Sequence, residues 1–453
     1  MMEENRFDLI VIGAGPGGYE TAARAAARGD KVLVAERDLP GGTCLNRGCI
    51  PTKCLCASAS AILGIMEAAE FGISVGGEVK ADYGRAVARM NEVVAGLRQG
   101  VGQALGKCTV IYGEALLTKD GKVNIGGTEY SADRIIIATG SRPATLPVTG
   151  ADLCMTSDDF LRLESLPESV TVIGGGVIGL EFASVMAAFG TAVTVVEYCP
   201  EILPPFDAEV AKRLRSYLSR RGIRFITGAA VTSVSRDAGT GKLVTSYTSK
   251  KGEASVESHA VLMAVGRASV VPEGASEAGI VTDRRGFIVT DPDTFETSVP
   301  GIYAIGDCNG RMMLAHVASA QGLRVLGEDV RLDVIPSAVF TVPEAAMTGL
   351  TEAAAKAAVA DPAEVGTAKA MYAGNGKARA MGETDGFVKV VYGKSDGRIL
   401  GAHIIGAHAS DLISEFVTAI DCGLTVADVA HRLVHGHPTL SELTAGACSA
   451  AVR

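Results

Sequence analysis

Apolar residues come first as a short strand-like run at 7–12, interrupted by Asp8, then as an alanine-rich stretch with helical spacing. They return as Val32-Leu33-Val34-Ala35, closed by Glu36. Short apolar runs bounded by glycine predict buried strands, and the alanine-rich stretch predicts a helix packed on their sheet. The same succession recurs at 168–197: an apolar strand, Gly-Gly-Gly-Val-Ile-Gly, an alanine-rich helix, then Thr-Val-Val-Glu. A shift of 161 superposes Gly13, Gly15, Gly18, Gly29 and Glu36 on Gly174, Gly176, Gly179, Gly190 and Glu197. The stretch 171–196 has one charge, Glu181, and enough residues to span a bilayer, but its place in the repeat predicts strand, turn and helix.

Alternating patterns follow each unit. Lys119-Asp120-Gly121-Lys122 separates two of them as a predicted hairpin, leading to an apolar strand that stops at Gly140. Residues 231–265 alternate similarly and end in a strand that stops at Gly266, as if each unit receives a final strand. From about residue 336 the pattern changes. Runs at 387–392 and 399–405 flank Ser395-Asp396-Gly397 as a predicted antiparallel hairpin, and helical patterns follow. The predicted fold class is α/β: two Rossmann-like dinucleotide-binding domains and a C-terminal α+β module.

The repeated spacing has a chemical reason. In G-x-G-x-x-G the first glycine permits the tight turn, the second lets backbone approach a pyrophosphate, and the third packs helix on strand. The helix start then offers free N–H groups and partial positive charge to the phosphates. Glu36 and Glu197 stand where an acid accepts from ribose hydroxyls. Two sites in one chain predict two dinucleotides, a flavin fed by a nicotinamide. Tyr198 and Cys199 follow Glu197, so a 2′-phosphate there would face a carboxylate without a neighbouring cation; NAD is expected over NADP. Arg213 and Arg215 are expected on a solvated helix face.

Composition narrows the field further. The chain has 453 residues, 42 Lys and Arg against 51 Asp and Glu, and a net charge of −9 without a basic stripe, which excludes nucleic acid as the expected partner. Its length suggests about three domains. The acidic start, Met-Met-Glu-Glu, carries no signal-peptide pattern, so a cytoplasmic protein without a membrane segment is expected. Ten scattered cysteines fit neither a disulfide scaffold nor a zinc site, and no metal is expected. Cys44 and Cys49 stand apart from the rest. Pro51 suits a first helical turn, placing Cys49 at a helix start and Cys44 in a glycine-rich loop leading in. Helix dipole and Lys53 would favour a thiolate there, which reads as a redox pair; an inert staple or two buried thiols are the alternatives. His437 lies five residues before Glu442, which suits either an acid–base pair or a capped helix start.

The motifs GGTCLNRGCIPTK (41–53), ATGSRP (138–143), GGGVIGLE (174–181), AVGR (264–267), TSVPGIYAIGDC (297–308), MLAH (313–316) and HPTLSE (437–442) together resemble the pyridine nucleotide–disulfide oxidoreductases over nearly the whole chain. The resemblance implies an FAD-binding domain of 1–147 and 266–335, an NAD-binding domain of 148–265, and a dimerisation domain of 336–453. FAD would be held through Gly13, Gly15, Gly18, Glu36, Lys53, Ala115, Thr139, Gly140, Asp307 and Ala315. NAD would be held through Gly174, Gly176, Gly179, Glu197 and Gly266. Cys49 would face the flavin, Cys44 would exchange with substrate sulfur, and Lys53 and Glu181 would pair beside the flavin. His437, backed by Glu442, would be the base, lent by the other subunit of a homodimer.

The implied reaction is oxidation of a protein-bound dihydrolipoyl group by NAD⁺. Its partner would be the lipoyl domain of an acyltransferase in a 2-oxoacid dehydrogenase complex, or a glycine cleavage H protein. No lipoyl-type domain precedes residue 7, so that group is expected on a separate protein. The chain departs from many relatives in two places. Arg47, expected to face solvent, stands where they have Val, and Ala318-Ser319-Ala320-Gln321-Gly322 stands where they carry acids. A glutathione reductase-like enzyme would want basic residues in place of Glu197. A mercuric reductase would want a vicinal cysteine pair at the C-terminus. A flavin-binding scaffold without turnover would not need both cysteines, His437 and Glu442.

Overall fold

A computed structural model describes residues 5–452; the acidic start 1–4 and Arg453 lie outside the described residues. The first repeat unit folds as strand Arg6–Ile12, helix Pro16–Arg28 and strand Val32–Glu36. The second folds as Ser169–Ile173, Val177–Ala188 and Ala192–Glu197. Register follows the repeat: Leu9 pairs with Val32 and Val170 with Val193, both in parallel. Leu9, Val11 and Val34, like Val172 and Val195, are fully buried beneath helices, while strand residues cover the opposite faces: Leu117, Val123 and Ile125 pack on Ile10 and Leu33, and Val234 and Leu243 pack on Ile173 and Val261.

Each unit also receives its expected final strand. Thr128–Ile137 joins the first sheet parallel to Arg6–Ile12, and Ala260–Met263 joins the second parallel to Ser169–Ile173. Both end three residues before the predicted glycine, because Gly140 and Gly266 take positive φ of 68° and 115° and turn the chain aside. Just beyond, Ser141–Pro143 pairs antiparallel with Arg267–Ser269, a short link between the units that periodicity did not predict. The 119–122 turn closes the hairpin of Ala115–Leu117 and Val123–Ile125.

The alternating segment after the second unit forms the antiparallel strands Ala229–Arg236, Leu243–Ser249 and Gly252–Ser258. The C-terminal part is a five-stranded antiparallel sheet, and its centre is the expected hairpin of Phe387–Gly393 and Ile399–Gly406. Helices Ala409–Asp421, Val426–His431 and Glu442–Val452 pack on it around Tyr372, Phe416 and Ile404.

The stretch 171–196 is strand, helix and strand as expected. Among the described residues, one other stretch, Gly42–Met66, is long and apolar enough by composition to cross a membrane. Gly48 divides it into Gly42–Arg47 and Cys49–Met66.

Candidate functional site

The two glycine turns show what each glycine does. A Cβ on Gly13 would sit 2.5 Å from the Ala138 carbonyl oxygen, and one on Gly174 would sit 2.4 Å from that of Ala264. At Gly18 and Gly179 the same atom would strike the carbonyls of Gly13 and Gly174, so these glycines press helix onto strand. Gly15 and Gly176 differ: a Cβ there meets nothing nearer than 3.9 Å at Gly15 and nothing within 4 Å at Gly176. Both are also the N-caps of their helices, which begin at Pro16 and Val177. Each turn thus leaves an open cradle in front of free helical N–H groups, which fits the pyrophosphate of a dinucleotide.

The acids repeat as well. Glu36 accepts from the Ala14 N–H at 2.7 Å and the Asp38 N–H at 2.8 Å. Glu197 accepts from the Gly175 N–H at 2.5 Å and the Cys199 N–H at 2.6 Å. Each carboxylate therefore shapes its glycine loop while lining the same cleft. Burial raises the Glu36 carboxyl above its usual range, and the Ala14 N–H and the charge of Arg37 oppose the rise. Arg215 is bound by Glu201 at 2.6 Å and Arg213 by the Tyr217 hydroxyl at 2.8 Å, so both cations are engaged away from Glu197.

The cysteines line the same cleft as the two cradles. Cys44 and Cys49 form a disulfide with Cα atoms 4.7 Å apart. Cys49 opens its helix as predicted. Cys44 does not lie in a loop: it belongs to the short helix Gly42–Arg47, which Gly41 starts in a left-handed conformation (φ 96°) and the Asn46 amide ties back to the Pro40 carbonyl at 3.1 Å. Arg47 is ion-paired with Asp38. Lys53 donates to both oxygens of Glu181 at 3.0 Å and lies 4.4 Å from the centre of the Phe340 ring. Its charge is thus committed to Glu181, which is 3% exposed and also accepts from the Phe340 N–H. The helix N-terminus is the remaining source of thiolate stabilisation named by the sequence.

One cleft of about 1660 Å³ joins these parts. Gly13, Gly15, Glu36, Cys44, Cys49, Lys53, Ala115, Thr139, Gly140, Asp307 and Ala315 line it from one side. Gly174, Gly176, Glu181, Glu197 and Gly266 line it from the other. Gly18 and Gly179 stand behind it, consistent with their packing role. Pattern reading missed the brace across the middle: Arg267 donates to Ser141 through Nε at 2.6 Å, and the Ser141 hydroxyl bonds Asp307. Both residues lie inside quoted motifs, ATGSRP and AVGR, so the signal was present. Phe340 carried none. Gln321, at a position where acids were missing, is buried and accepts from the Gly306 N–H at 2.7 Å.

His437 and Glu442 stand apart from this cleft. The imidazole Nδ1 lies 2.9 Å from Glu442 Oε1, and the Thr439 N–H donates to the other oxygen at 2.9 Å. The His437 bond and then the Thr439 N–H hold the Glu442 carboxyl below the usual range. The His437 side chain is 80% exposed and is not among the residues lining the cleft of its own chain.

Residues 7–322 match the pyridine nucleotide-disulphide oxidoreductase family, and residues 335–448 match the dimerisation domain of that family. The chain is 40% identical to a dihydrolipoyl dehydrogenase of Chlamydia muridarum, over 98% of this chain and 97% of that protein. It is 38% identical to the dihydrolipoyl dehydrogenase of Bacillus subtilis, over 98% of each. Among solved structures it resembles the HOCl-induced flavoprotein disulfide reductase RclA from Escherichia coli, with a TM-score of 0.86, 28% identity, and coverage of 98% of this chain and 99% of that one.

Proposed function

The chain belongs to the pyridine nucleotide-disulphide oxidoreductases, flavoprotein enzymes that use FAD and NAD(H), and on that premise we propose that it oxidises a protein-borne dihydrolipoyl group with NAD⁺. The observation that carries the reading is the Cys44–Cys49 disulfide in one cleft with both dinucleotide cradles. The cradle of Gly13 and Gly15, with Glu36, Lys53, Ala115, Thr139, Gly140, Asp307 and Ala315, would hold FAD. The cradle of Gly174 and Gly176, with Glu197 and Gly266, would hold NAD⁺. FAD, when bound, supplies the two-electron carrier between a dithiol and the nicotinamide.

The residues of the chain do the sulfur chemistry. His437, oriented through Nδ1 by Glu442, takes a proton from one substrate thiol at Nε2. That thiolate attacks Cys44 Sγ; a substrate–Cys44 bond forms, the Cys44–Cys49 bond breaks, and Cys49 leaves as thiolate at its helix N-terminus. The second substrate thiol then closes the cyclic disulfide on the first substrate sulfur, the bond to Cys44 breaks, and the proton of that thiol passes to the departing Cys44 thiolate. The exposure of His437 away from its own cleft supports service to a second copy, hence a homodimer. Cytoplasmic placement, and a lipoyl domain of an acyltransferase or a glycine cleavage H protein as partner, belong to the same proposal.

Steady-state turnover of holoenzyme with dihydrolipoamide tests this. NAD⁺ should exceed NADP⁺ in kcat/KM by about a hundredfold or more, since a phosphate beside the Glu197 carboxylate costs several kcal/mol. Comparable values for the two, or faster reduction of glutathione disulfide by NADPH, would favour a different disulfide reductase of the family.

A further inference from the structure

His437 is carried by a segment with few restraints of its own. Residues 432–438 lie between the helices Val426–His431 and Glu442–Val452, with Val434 99% exposed. Among the described residues, no backbone N–H from 433 to 437 bonds another backbone group. The C-terminal end of the segment is fastened by Thr439, whose hydroxyl donates to the Gly436 carbonyl at 2.6 Å, and by Asn375, which donates to the Thr439 carbonyl at 3.0 Å.

The middle has one side-chain anchor, at His435. Its Nε2 lies 2.7 Å from Oε1 of Glu415, on the helix Ala409–Asp421, and its side chain is 11% exposed. That helix packs against Glu442–Val452, whose first residue is Glu442. Glu415 also helps burial push the thiol of Cys448, on the latter helix, up to about 12. The sequence gives His435 no special standing, yet it makes the same kind of bond as His437, two residues away and turned to the opposite side: one imidazole inward, one outward.

We propose that His435 and Glu415 form a second imidazole–carboxylate pair that positions His437, so that dithiol oxidation depends on both pairs. His435 is a positioning residue: it reaches no substrate, and it fixes the backbone from which the exposed imidazole projects. Glu442 sets the ring orientation of His437, and His435 sets where that ring stands. The proposal rests on His437 being the thiol base. A general base displaced by about 1 Å from its working position loses much of its effect, on a scale of about a hundredfold.

The test is kinetic, on holoenzyme with dihydrolipoamide and NAD⁺. His435→Gln and Glu415→Ala should each lower kcat about ten- to a hundredfold with little change in KM, and NADH-to-dye transfer should stay at the wild-type level. Glu415→Gln, which keeps an acceptor for the ring N–H, should restore most of the loss. Added to His437→Gln, the His435→Gln change should cost nothing more, because it acts through His437. Unchanged kcat in His435→Gln, the same loss on the His437→Gln background, or an equal loss of dye transfer would each overturn the proposal. If wild-type enzyme failed to oxidise dihydrolipoamide, the preceding functional reading would fall by itself. Hydrogen exchange of amides 432–437 would then decide: faster exchange in His435→Gln supports the anchor, and unchanged exchange overturns it.

Discussion

Cys49→Ser is expected to lose dihydrolipoamide oxidation by about three orders of magnitude or more, the scale on which removing a reacting nucleophile acts. Cys44 and Cys49 are joined in the cleft, and the substrate dithiol can give up its electrons to protein sulfur only if that bond exists to be broken. A serine oxygen cannot form it. The remaining Cys44 thiol could only open oxidised lipoamide to a mixed disulfide, which the second lipoyl thiol closes again with no net transfer of electrons. The fold should tolerate the change, because serine differs from cysteine by one atom of similar size and Cys49 is the first residue of Cys49–Met66, where a hydroxyl meets unpaired helical N–H groups. Bound flavin and NADH-to-dye transfer should therefore persist, since neither uses sulfur. Parallel assays of the two activities on flavin-replete enzyme check this. Residual dithiol turnover above about one per cent of wild type would show that the disulfide is not the obligatory acceptor.

His437→Gln should lower dithiol oxidation by about a hundred- to ten-thousandfold, the range a general base supplies, and leave NADH-to-dye transfer largely intact. The glutamine amide can still reach Glu442, so the helix start and the Thr439 bond survive, but it takes no proton. The defect should narrow as pH rises through the ordinary thiol range near about 8.5, because the dithiol then ionises without help. Rate–pH profiles of both enzymes with dihydrolipoamide give the answer. Equal loss of both activities, or a defect that does not narrow with pH, would mean that His437 holds structure and moves no proton.

The repeat was legible because its glycines answer to backbone geometry alone. Gly13 and Gly18 have no room for a Cβ, and Gly174 and Gly179 repeat the constraint, so spacing carried the whole unit. The cleft side of Glu36 and Glu197 was legible for the same reason. Their backbone bonds to Ala14 and Gly175 were not, since a loop closing on an acid leaves no periodic trace. The helix around Cys44 was missed because six residues are too few to show a period or to stand alone in water. Contacts between residues distant in sequence escaped for a different reason. Phe340 meets Lys53, and Arg267 meets Ser141, only after the chain has returned across the sheet. His435 and Glu415 belong to that group: nothing in a spacing of twenty residues announces a bond.

The central claim, that nicotinamide and the Cys44–Cys49 disulfide exchange electrons, is tested most directly by trapping. Holoenzyme would be reduced anaerobically with one equivalent of NADH, quenched in denaturant with iodoacetamide, digested and mapped by mass spectrometry. Without NADH, Cys44 and Cys49 should carry no label; after NADH, both should gain it, while the other cysteines keep the labelling they had before. If Cys44 and Cys49 stay unlabelled while NADH is consumed, the electrons go elsewhere and the account is wrong.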